Sequence, residues 1–115
     1  MKRDRVHIDH ILECIEWIAR YTADGRDTFF SDRKTQSAVL RELQTLAEST
    51  QRLSAELKDT HPKVPWEGIA GFRNVLVHDY LGINLERVWD IVERDLPVLG
   101  AAAETMRQTL QEDET

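Results

Sequence analysis

Residues 6–19 read VHIDHILECIEWIA, and their spacing decides the fold class. Val6, Ile8, Ile11, Leu12, Ile15, Ile18 and Ala19 return at three- and four-residue steps, the pattern of one apolar helix face. A half-buried strand would alternate instead. The helix is expected to end near Asp24-Gly25, where glycine permits the turn. GRDTFF (residues 25–30) reads as a loop, after which Ser31 or Asp32 offers an oxygen to cap the next helix.

That second helix is predicted to be long. Ala38, Leu40, Leu43, Leu46, Ala47, Leu53 and Leu57 keep one stripe from about Asp32 to Thr60. HPKVPW (residues 61–66) stops it, because a proline disfavours helical geometry in the residue before it. Pro65 suits the first position of a third helix, and Glu67 complements its dipole. This helix carries Trp66, Ile69, Ala70, Leu76 and Val77 and should end by Gly82. Asn84 is the expected cap of a fourth, with Leu85, Val88, Trp89, Ile91 and Val92. Pro97 marks a break before a fifth segment, roughly Val98 to Gln111. The fold class is therefore all-α: an antiparallel bundle of four to five helices, one domain over residues 1–115.

Composition narrows the function classes. The net charge of −6 argues against broad, non-specific nucleic-acid binding, which draws on many phosphate contacts. It leaves room for a small basic site. No apolar run is long enough to cross a bilayer, so no membrane partner is expected. MKRDRVHIDH is basic but has no apolar signal core, and Cys14 is the sole cysteine. A reducing cytoplasm is the expected compartment.

Against this background RNVLVHDY (residues 73–80) stands out, with Arg73, Asn74, His78 and Tyr80 spaced through a partly apolar run. On an ideal helix Arg73 and Tyr80 lie nearly in line, whereas Arg73 and His78 point about 140° apart. Within one helix they straddle a face. A two-fold dimer would bring two such helices together and let one copy complete the other's site. Histidine moves a proton near neutral pH, and arginine holds a phosphate through its planar fork. With the RNA 2′-hydroxyl as nucleophile, no metal or other cofactor is required. Asn74 could orient the histidine or donate to the phosphate, and Tyr80 could stack on a base. On spacing alone, a surface pair near a helix end remains the simpler reading of Arg73 and His78.

The sequence resembles the HepT-type toxins of the HEPN ribonuclease superfamily. The resemblance is carried by HPKVPWEGIAGFRNVLVHDY, by FFSDRKTQSAVLRELQTLAEST upstream and by NLERVWDIVERDLPVL downstream, which together make up most of the chain. It implies an all-helical, two-fold homodimer that cleaves RNA without metal. It also implies a toxin–antitoxin pair, whose partner is a minimal nucleotidyltransferase that transfers AMP from ATP to the motif tyrosine. Carried over, Arg73 and His78 are the catalytic pair, Asn74 supports them, and Tyr80 is the AMPylation target. Many relatives have a Gly-Glu pair in the second helix where this chain has Ala47-Glu48. A non-catalytic module of the same family, binding a nucleotide or a nucleotidyltransferase, is the alternative; a plain structural bundle is a second.

Other residues invite weaker readings. His7, His10 and Cys14 follow helical spacing, but Cys14 falls on the apolar stripe and the set matches no zinc signature. His61, beside Pro62, is expected to be solvated. Trp17, Trp66 and Trp89 are expected in core or dimer packing rather than as base-stacking platforms. Lys2, Arg3 and Arg5, and also Arg33 and Lys34, are small basic clusters that either touch RNA or are simply solvated.

Overall fold

A computed structural model describes residues 2–78 and 84–114, with side chains for all of these except residue 2, residues 73–78 and residues 113–114. Every regular element among the described residues is helical. They are α1 (Lys2–Tyr21), α2 (Arg26–Ser31), α3 (Arg33–Arg52), α4 (Ala55–Asp59), α5 (Trp66–His78), α6 (Leu85–Asp90) and α7 (Leu96–Glu114), with a π-helical turn at Ile91–Asp95 between the last two. None of these helices is long and apolar enough to cross a membrane.

The stripe of residues 6–19 faces the core over its middle, while its ends, Val6 at 53% exposure and Ala19, stay in solvent. Ile8, Ile11 and Ile18 are fully buried, as are Val39, Leu43 and Leu46 of α3, in one shared core. Burying each such side chain contributes about 1.5–3 kcal/mol. α1 and α3 run antiparallel, since Asp4 near the start of one bonds Ser54 just past the end of the other. α7 packs on the opposite flank of α1, also antiparallel. Gly100 lies beside Ile15, and Gln111 shares a surface groove with Arg5. α5 begins beyond the end of α3 and turns back along it.

Four boundaries differ from the sequence expectation. GRDTFF is not a loop. α1 ends at Tyr21, a turn leads to Gly25 with φ of 95°, and the chain winds at once into α2. Burial of Phe29 holds this short helix, and the Gln36 amide donates to the carbonyls of Phe29 and Phe30 at 2.9 and 3.2 Å. Asp32 is the cap of α3, accepting from the Lys34 amide at 3.1 Å.

The long second helix is interrupted at Leu53, where ψ swings to 144°. Ser54 opens α4 by accepting from the Leu57 amide, so local capping outweighs the continued apolar stripe. α5 starts at Trp66 rather than Pro65, whose carbonyl takes the first helical bond from Ile69 at 3.0 Å.

Pro97 does not break the chain. It is the second residue of α7, and the backbone stays helical from Leu85 to Glu114. The Leu96 amide bonds the Ile91 carbonyl, one residue farther back than in an α-helix. This wider turn relieves the clash that a proline ring makes with the carbonyl four residues earlier.

Candidate active site

α5 is anchored at its start by the tryptophan of the Pro-Trp dipeptide. The Trp66 indole N–H is shared between the carbonyls of His61 (3.0 Å) and Lys58 (3.2 Å), the latter in α4. The Lys58 carbonyl also accepts the His61 amide at 3.0 Å and the His61 carbonyl the Val64 amide at 3.2 Å, so the indole is a further donor that ties α5 to this turn. Ile69 and Phe72 then bury one face of α5, at 0% and 4% exposure. Glu67, Gly68 and Gly71 lie on the exposed side. A Cβ built on Gly71 would meet nothing within 4 Å.

Arg73, Asn74 and His78 belong to the same helix by backbone; their side chains lie outside the described residues, and so does the whole of Tyr80. Helical register places Asn74 and His78 on the stripe of Glu67 and Gly71, at steps of four, three and four residues. The α5 face that leads into the motif is thus open to solvent, while the Ile69–Phe72 face holds the helix on the core.

α6 flanks this helix. Asn84 caps it, accepting from the Arg87 amide at 3.2 Å, as its sequence position predicted. The Arg87 guanidinium sits 5.8 Å from the centre of the Phe72 ring. On the other side of α6, Trp89 packs its ring 5.4 Å from Phe29 of α2 and donates its indole N–H to Glu93 at 2.7 Å. Sequence reasoning passed over Arg87 and the Phe29–Trp89 contact.

The remaining candidates separate cleanly. Trp66 and Trp89 are partly buried against the core, as expected, but Trp17 is 38% exposed. Trp17 stacks on Tyr21 at 5.8 Å, and the Arg20 guanidinium lies 4.9 Å from its ring. His61 is half-buried and serves the site's frame through its carbonyl.

No group of three metal-ligating side chains occurs among the described residues. The His7 and His10 rings meet edge to face at 6.4 Å, and Cys14 is buried. Burial pushes the Cys14 thiol up to about 12, with the Glu42 side chain adding to the rise. Burial also lowers His7, helped by Arg52 and His10 and opposed by Asp4. Its Nδ1 is buried without a hydrogen-bond partner, which suits a neutral ring.

Arg3 and Arg5 flank Asp4 at the Ser54 end of α1, whereas Arg33 and Lys34 open α3 directly after α2. Ala47 is fully buried on α3, and Glu48 beside it is half-buried and has an interaction partner.

Comparison with known proteins supplies the remaining observation. A family profile described as ribonuclease HepT-like matches residues 11–106. A candidate RNase of Methanocaldococcus jannaschii is 41% identical over 98 residues, covering 84% of this chain and 81% of that protein. A probable ribonuclease HepT of Thermococcus cleftensis is 34% identical over 110 residues, covering 94% of this chain and 100% of the relative. A second M. jannaschii protein, named for both a gamma-glutamylcyclotransferase and a candidate RNase, is 35% identical over 101 residues; these cover 86% of this chain and 46% of that longer protein. No solved structure matches.

Proposed function

The chain belongs to the ribonuclease HepT-like family, and on that premise we propose that it is a metal-independent endoribonuclease acting as the toxin of a toxin–antitoxin pair. The observation that carries the reading is the intact Arg-x4-His-x-Tyr run at residues 73–80, on and just after α5, inside the family match.

The chemistry follows from the residue types. His78 takes the proton of an RNA 2′-hydroxyl, whose oxygen attacks the adjacent phosphorus. The bond to the 5′-oxygen breaks, and that oxygen leaves as a protonated hydroxyl. Arg73 holds the scissile phosphate and stabilises the charge that builds on its oxygens. Asn74, one turn before His78, orients the imidazole or donates to the phosphate.

Arg73 and His78 diverge by about 140° around one helix, so a two-fold homodimer supplies the complementary edge. The exposed Gly71 supports this: a helix-interior glycine costs about 0.5–1 kcal/mol relative to alanine, and no neighbour among the described residues requires it. A partner α5 crossing there gives it a use.

The partner is a minimal nucleotidyltransferase that transfers AMP to Tyr80. A bulky anionic group two residues from His78 would block the cleft and repel RNA phosphate. The compartment is the cytoplasm, where both partner and RNA are present.

The test is cleavage of a mixed RNA pool in excess chelator by wild type, His78→Ala and Arg73→Ala. Wild type should cut and both variants should be silent. Equal silence of all three would favour a binding module that acts by association.

A further inference from the structure

We propose that Arg87 is a positioning residue for the RNA strand: held on the Phe72 ring, its guanidinium binds a backbone phosphate neighbouring the one that is cut. The proposal rests on the ribonuclease reading above.

Three observations carry it. Phe72 directly precedes Arg73, and Arg87 reaches across from α6 to within cation–π range of its ring, 5.8 Å from the centre. The guanidinium is thereby fixed beside the start of the motif, although the residue as a whole is exposed. Second, Arg87 has no ion-pair partner among the described residues, whereas Arg20 and Arg107 each meet a glutamate at 2.7 Å. Asp95 feels its charge: burial raises that carboxyl and Arg87 pulls it back, but the two do not form an ion pair. In a chain of net charge −6, an arginine seated on a ring and without a carboxylate among the described residues has N–H groups to offer another anion.

The third observation is that the arrangement recurs next door. The Arg26 guanidinium lies 4.6 Å from the Phe30 ring on α2, again with no ion-pair partner among the described residues. The Phe29–Trp89 contact joins α2 to α6. Two ring-held arginines therefore stand on α6 and on the α2 element that α6 contacts. Arg3 and Arg5, at the Ser54 end of α1, do not share this position.

The experiment measures single-stranded RNA binding by the His78→Ala protein, which holds RNA without cutting it, across a salt series with and without Arg87→Ala. Loss of one phosphate contact should weaken binding about tenfold at low salt, uniformly across sequences, and make the salt dependence shallower by about one counterion. In the cutting protein KM should rise by a similar factor with kcat within about twofold.

Arg87→Met, which keeps the stem on Phe72 but not the charge, should behave as Arg87→Ala does; Arg87→Lys should recover part of the affinity. Arg107→Ala, on the far part of α7, should change nothing. Unchanged affinity and salt slope in Arg87→Ala and Arg87→Met would overturn the proposal, as would absence of RNA binding by the His78→Ala protein. Failure of the ribonuclease reading looks different: wild type would leave RNA intact while binding it in an Arg87-dependent way.

Discussion

Asp4 and Ser54, fifty positions apart, are joined twice: the Ser54 amide and hydroxyl each donate to one oxygen of the Asp4 carboxylate, both at 2.8 Å. The same hydroxyl accepts from the Leu57 amide, so one serine both caps α4 and fastens it to α1. Asp4 is 4% exposed, which strengthens the pair relative to a surface contact. Asp4→Ala should cost about 1.5–3 kcal/mol, since two hydrogen bonds to a charged group are lost. Ser54→Ala should cost a similar amount, and the double variant clearly less than the sum. Urea unfolding of the four proteins checks this; strict additivity would mean that the two residues do not act together.

Gly71 separates folding from assembly. With nothing among the described residues within 4 Å of its added Cβ, Gly71→Ala should stabilise the monomer by about 0.5–1 kcal/mol. Gly71→Leu should fold as well as the parent, yet lower both the dimer fraction and RNA cleavage. Sedimentation, melting curves and cleavage rates on the three proteins decide the matter. A fully active Gly71→Leu dimer would remove the support that this glycine gives to the paired site.

Cys14 gives the fold an alkaline limit. Its thiol is raised from an ordinary value near 9.0 to about 12, chiefly by burial. The neutral form is therefore the one the fold prefers. Its contribution is complete below the unfolded value and is lost as pH rises towards 12, because the unfolded chain then releases the proton first. Urea midpoints between pH 8 and pH 10.5 should fall more steeply for the parent than for Cys14→Ala. The folded thiol should also resist iodoacetamide until the chain unfolds.

The indole of Trp66 is predicted to matter through its N–H as well as its ring. Trp66→Phe keeps an aromatic packing group but removes the indole bond to the Lys58 and His61 carbonyls, which keep only their backbone donors. A loss of about 1 kcal/mol is expected, with faster amide exchange in α4 and the first turn of α5. Exchange that stays at parental rates would show that the turn is held by its backbone alone.

Much of this architecture was readable before the coordinates. The apolar stripe of α1 and the Asn84 cap depend on neighbours within a few residues; the cap appears as expected, and so does the stripe apart from the exposed Val6 and Ala19. The misreadings share a cause. α2 is six residues long, too short for a period to declare itself, and it exists because Phe29 is buried and Gln36 reaches back to it. The break at Leu53 is set by the Ser54 cap, which Asp4, remote in sequence, also holds. Pro97 obeys the local rule for proline, but a widened turn accommodates it.

At the site, the Arg73–His78 spacing was visible, and only the family resemblance gave it meaning. Arg87 was not visible at all. An arginine in the first turn of a helix is unremarked until the fold lays it on Phe72.

The π-helical turn also sets an angular phase. α6 and α7 behave as one rod, and its extra residue between Ile91 and Asp95 fixes how far the first part is rotated about the axis relative to the second. Excising one residue there would restore ordinary helical pitch and rotate everything upstream by about 100°. α7 would stay seated on α1, while Trp89 would swing away from Phe29 and Arg87 from Phe72. The wide turn thus works as a vernier, dialling the α6 side chains onto their aromatic seats.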